Sequence, residues 1–197
     1  MTTRFLTRIA LPLAAVATLS GCGVNTIPAK EETAKTRWAD VESAYQRRAD
    51  LIPNLVATVK GYAQQEKDVL VEVTNARARA TSITVDPTKL SDPNAVAQFD
   101  QAQTALSGSL GRLLVSVEKY PDLKSNEQFL NLQSQIEGTE NRINVTRKDY
   151  NEAVRDYNTE IRTFPSIIGA KVIYGAKPLQ PFKATSAGAA NAPTVTF

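Results

Sequence analysis

Residues recur along one helical face at alternating steps of three and four from Trp38 to Ala80, and the phase of that recurrence survives a proline. The series is Trp38, Val41, Tyr45, Arg48, Ile52, Leu55, Val59, Tyr62, Glu66, Val69, Val73, Ala76 and Ala80. A mostly apolar heptad seam of this length points to long packed helices. Two of its members, Arg48 and Glu66, break the apolar rule. A loop normally shifts such a phase, so the seam predicts one helix over residues 30–80, kinked at Pro53. Proline there removes a backbone hydrogen bond and crowds the preceding turn, at a cost of ~3 kcal/mol or more. In the alternative, Pro53 is the first residue of a new helix.

The rest of the chain repeats the theme. Residues 81–94 (TSITVDPTKLSDPN) hold two prolines, two aspartates and β-branched residues, which is loop chemistry. Ser91-Asp92-Pro93 caps a second helix. Its seam is Val96, Phe99, Gln103, Leu106, Leu110, Leu113, Val117 and Tyr120. Gly108 and Gly111 weaken that helix by about 1 kcal/mol each relative to Ala and offer room for a neighbouring helix. Pro121 ends it, and the short connection makes the second and third helices antiparallel neighbours. The third spans residues 124–163, with Asn126, Phe129, Gln133, Ile136, Glu140, Ile143, Arg147, Tyr150, Val154, Tyr157, Ile161 and Phe164 on its seam. The fold class is therefore all-α: an elongated antiparallel bundle of three long helices, or four if the first breaks at Pro53. The apolar run at residues 167–174 either extends the third helix or packs along the bundle. It is too short to span a membrane.

The chain opens with a basic stretch, MTTRFLTR, then an apolar run at residues 9–19, then Ser20-Gly21-Cys22. This is the layout of a signal peptide. Leu19-Ser20-Gly21-Cys22 resembles a bacterial lipobox. That resemblance implies cleavage before Cys22 and acylation of its thiol and its new amine. Several acyl chains make a firm anchor where one is marginal. The organisation expected is a signal peptide at 1–21, an acylated tether at 22–29, a helical bundle at 30–182 and a disordered tail at 183–197, where Ala, Ser, Pro and Gly dominate.

Three stretches carry a family resemblance: RRADLIPNLVATVKGYA at 47–63, YPDLKSNEQFLNLQSQIEGTENRI at 120–143, and RKDYNEAVRDYNTEIRTFP at 147–165. In this order they resemble the LemA family of bacterial envelope proteins, and the likeness covers about residues 30–182. It implies a helical, membrane-associated protein with no defined biochemical role. The lipobox resemblance adds a location. Gly23 stands where an aspartate would favour inner-membrane retention, which points to the outer membrane, facing the periplasm, in a host with two membranes.

The 197 residues include no histidine and one cysteine. That leaves no Ser-His-Asp set, no Cys-His pair and no histidine metal cage. No phosphate-binding glycine loop is present, and nothing calls for a cofactor. Taking Arg4 and Arg8 from the 23 basic residues leaves 21 against 20 acidic, a net of +1. The charges alternate along the helices, so no basic face for nucleic acid emerges. The candidate site is the polar seam of Arg48, Glu66, Glu140 and Arg147. It serves either as an ionic network that fixes helix register or as a groove for a ligand or partner. Tyr150-Asn151 and Tyr157-Asn158 repeat at seven residues, with the tyrosines in the core and the asparagines flanking it. The functional expectation is a non-catalytic binding or scaffold protein, held on a membrane through lipid on Cys22, with an unidentified envelope protein as partner. The rivals are a structural envelope spacer and a small-molecule sensor using the polar seam around Arg48 and Glu140.

Overall fold

The computed structural model describes residues 25–183. The signal peptide, Cys22 and all but the first residue of the expected tail fall outside that range. Among the described residues six helices run α1 (Thr26–Tyr62), α2 (Lys67–Ser82), α3 (Pro93–Val117), α4 (Pro121–Lys124), α5 (Glu127–Glu160) and α6 (Ser166–Gly169). A 3-10 turn at Pro87–Lys89 precedes α3, and a π turn at Ala170–Tyr174 follows α6.

The all-α bundle is as expected, with a different break in the first helix. Pro53 lies inside α1 without interrupting it. The chain folds back ten residues later, over residues 63–66, so the single helix expected over 30–80 is two. Four long helices result. At 1.5 Å per residue, the 37 residues of α1 span about 55 Å. α1 and α5 lie antiparallel along their full length. Lys30 reaches Glu160 at one end and Tyr62 meets Asn126 at the other. α2 returns along the second half of α1, and α3 runs back along α2, where Gln103 Nε2 donates to the Ala80 carbonyl at 3.1 Å.

Arg77 shows how α1 passes through its proline. Pro53 has no N–H for the Ala49 carbonyl, its partner four residues back. Arg77 of α2 fills the vacancy, with Nε donating to Ala49 O at 2.7 Å. The Pro53 ring itself faces solvent. One side chain thus meets the hydrogen-bonding need created by the proline and ties α2 onto α1.

The apolar residues form two cores. The first gathers Ile52, Leu55, Val59, Val73, Leu106, Leu113, Leu123 and Phe129 from the four long helices and α4. Past the turn at 63–66 the seam misses at one position, where Leu70 is buried and Val69 only partly so; Val73, Ala76 and Ala80 are buried as the spacing predicts. A side chain at Gly108 would meet only Arg112 of its own helix and Gly111 faces open space, so neither admits a close helix, contrary to expectation.

The second core lies at the other end, where α2 and most of α3 no longer reach. Trp38, fully buried, packs on Phe99, Tyr150 and Phe182 with ring centroids 5.2, 5.2 and 5.4 Å away. The extended segment at 176–183 takes the place of a helix, and the Tyr-Asn repeat holds it. Asn151 exchanges two hydrogen bonds with the backbone of Phe182, at 2.8 and 3.0 Å. Asn158 does the same with Leu179, both at 2.9 Å. Tyr150 donates to the Gln180 carbonyl at 2.9 Å. α1 begins inside the span expected as a tether: Thr26 donates to Glu160 at 2.8 Å and Ile27 is buried. Phe164 leaves the seam and is exposed.

Arg77→Ala should lower unfolding stability by about 1–3 kcal/mol, the cost of stranding a shielded carbonyl. The same change in a Pro53→Ala background should cost clearly less, because an alanine at that position supplies the missing N–H. Urea melts of the four chains check this. Equal costs in both backgrounds would show that Arg77 does not compensate for Pro53.

Candidate functional site

The residues between the two cores are polar. Arg48 extends from α1 into the bundle and is 1% exposed. Its Nη1 donates to Ser107 Oγ at 2.6 Å and to Glu140 Oε1 at 2.7 Å. Its Nη2 donates to the Gln103 carbonyl and side-chain oxygens at 3.2 and 2.8 Å. The guanidinium also lies 5.0 Å from the centre of the Tyr45 ring. One buried cation thereby holds α1, α3 and α5 together. The planar fork of arginine suits such a junction, which a lysine point charge would not span.

Arg147 forms a second centre one step toward the aromatic core. Its Nη1 donates to Tyr45 Oη at 3.0 Å and pairs with Asp100 at 2.9 Å. Its Nη2 donates to the Lys183 carbonyl at 3.2 Å, and its guanidinium covers the Phe182 ring at 4.4 Å. Tyr45 joins the two arginines, one over its ring and one at its hydroxyl. Burial raises the Tyr45 pKa, and the arginines oppose that rise. Two arginines thus meet two carboxylates, Glu140 and Asp100, in a network with no excess charge.

Three of the four expected seam ions belong here. Glu66 does not. It sits half-buried at the turn into α2 and accepts from Tyr120 Oη at 3.1 Å. It lies 18 residues beyond Arg48, roughly 27 Å along a helix, and takes no part in the Arg48 network. Asp100, Gln103 and Ser107 were not singled out as partners from the sequence. Their signal was available: spaced three and four apart, they make a polar stripe on one face of α3.

A half-open cleft of about 530 Å³ lies beside the network, lined by Glu42, Tyr45, Thr84, Asp86, Phe99 and Gln103 among others. Burial raises the Glu42 carboxyl pKa, while the Trp38 side chain and the Val85 backbone offset part of the rise. Among the described residues no group of three or more side chains is placed to hold a metal.

The LemA family model matches residues 37–197, which include the polar network, the first core, most of the second and the Tyr-Asn repeat. The chain belongs to the LemA family. Protein LemA of Metamycoplasma hominis is 28% identical over 103 residues, or 52% of this chain. The chain spans 43% of the length of that curated relative. The LemA family match begins at Arg37 and so leaves out Cys22 and the first turns of α1.

Arg48→Ala should destabilise the protein by about 3 kcal/mol, the cost of breaking a buried charged network and leaving a hole. Arg48→Lys should recover only part of that, because lysine keeps the charge without the fork. Thermal and urea melts check both. Stability unchanged in Arg48→Ala would contradict a structural role for the network.

Proposed function

We propose that this LemA-family protein is a non-catalytic helical scaffold of the bacterial envelope, anchored by lipid on Cys22. The carrying observation is where the bundle starts. Thr26, four residues after Cys22, is already helical and bound to Glu160. Three residues of chain from Cys22 to Asn25 reach at most about 11 Å, so an anchor on Cys22 holds the aromatic end of the bundle against the lipid. No described helix is long and apolar enough to cross a membrane, and on this reading the lipid supplies the attachment. In a host with two membranes the anchor is in the outer membrane and the bundle is in the periplasm.

The polar network supports a scaffold over a sensor, because Arg48 and Arg147 direct their donors to groups of the same chain. In the sensor reading a ligand occupies the cleft beside Tyr45 and Gln103 and raises the melting midpoint. In the spacer reading no particular protein is recognised. Crosslinking in the native membrane separates that reading from a scaffold, which captures the same envelope protein reproducibly.

Cys22→Ser should abolish metabolic lipid labelling and move the protein out of its normal membrane fraction. Labelling and fractionation of both chains check this. Undiminished labelling in Cys22→Ser would contradict the anchor.

A further inference from the structure

The turn that follows α5 is built inside out. Its small residues face the bundle: Ser166, Gly169 and Ala170 are buried, and Ser166 donates to Glu160 at 2.5 Å. Its large apolar residues face away. Phe164, Ile168, Val172 and Ile173 are each 56–80% exposed, and Tyr174 is 43% exposed. Elsewhere on the bundle exposed apolar side chains such as Val71, Val115 and Val145 are far apart in sequence on the long helices, which needs no explanation. Five within eleven consecutive residues do.

Along this segment of the chain the charges have one sign. Arg162, Lys171 and Lys177 are exposed beside it, and no Asp or Glu occurs from residue 161 to the end of the described chain at Lys183. Apolar side chains interleaved with cations, with a tyrosine at the margin, match the interface of an anionic bilayer. The cluster also lies at the end of the bundle where α1 starts. Thr26, Lys30 and Ser166 all converge on Glu160, whose carboxyl they hold down at about 2.

We propose that the exposed apolar turn of Phe164, Ile168, Val172, Ile173 and Tyr174 inserts into the lipid headgroup region, its flanking cations meeting anionic lipids. This rests on the anchoring reading above and goes beyond it. The lipid on Cys22 would hold the chain at the surface, and the turn would seat the bundle end-on, so that the long axis of α1 and α5 projects away from the membrane. Two contacts fix an orientation that a flexible lipid tether alone does not.

The test uses the full chain, acylated and reconstituted in vesicles of phosphatidylethanolamine and phosphatidylglycerol. An environment-sensitive fluorophore is placed at Val172→Cys or, as control, at Val115→Cys near the far end of the bundle. The parent chain, whose one cysteine is Cys22, supplies the labelling background. Replacing the acyl chains with brominated ones should quench the label at 172 by about twofold or more, as expected for a group at the headgroup–acyl boundary, and leave the label at 115 unchanged. A label at 172 that is shielded from water yet untouched by bromine would overturn the proposal. It would show that a second copy, or residues 184–197, covers the turn. A label at 172 in water on a chain that floats with the vesicles overturns it and leaves the anchor standing. A chain that does not float overturns both.

Discussion

The fold depends on a buried cation. Arg48 occupies a seam position that an apolar side chain would fill in an ordinary bundle, and it does so between two hydrophobic cores. Taking a guanidinium out of water is costly unless its donors are met; both Nη groups are met, Nε is not, and the partners come from three positions on two other helices: Gln103, Ser107 and Glu140. A one-residue slide of α3 or α5 would strand the charge. Apolar contacts alone tolerate such a slide far better, so the cation specifies register where the cores supply most of the burial energy. Arg147 repeats the device against Asp100, with Tyr45 linking the two centres.

The network also marks a change of architecture. On one side four long helices surround a mostly aliphatic core. On the other, α2 has ended, and an extended segment completes an aromatic core around Trp38. An extended segment has backbone groups that a helix would satisfy internally. Asn151 and Asn158 each offer one donor and one acceptor, seven residues apart on one face of α5, and dock that backbone without a neighbouring strand.

Much of this was legible in the sequence. The seam residues of α1 from Trp38 to Val59 and of α3 from Val96 to Val117 are all buried, as are Phe129, Ile136, Ile143, Tyr150, Val154 and Tyr157 of α5, while Ala44, Ala49, Ser109, Ser116, Leu132, Thr139 and Thr146 are buried beside the seam. The seam failed at 63–66 because Tyr62, Glu66 and Val69 continue the heptad spacing by coincidence, although the side chain of Tyr62 lies half in solvent and Glu66 sits where the turn enters α2. The better signal was local: Gly61 followed by the polar run Gln64-Gln65-Glu66-Lys67. The unbroken phase predicts a helix that continues through Pro53, and α1 does pass through it. The reason could not be seen in one dimension, since Arg77 is 24 positions away and acts across a helix pair. Arg48, Glu140 and Arg147 stood out as charges on an apolar stripe. Asp100 and Ser107 did not, because each sits beside the α3 seam rather than on it.

The claim that Arg48 and Glu140 hold the bundle in register is tested most directly by a double-mutant cycle. Unfolding free energies would be measured for the native chain, Arg48→Met, Glu140→Gln and the pair together. The account predicts that the double change costs less than the sum of the single ones by about 1.5 kcal/mol or more, the coupling expected of a charge pair with one partner fully desolvated. Additivity within about 0.3 kcal/mol would contradict it, and would mean that the two side chains are neighbours without being partners.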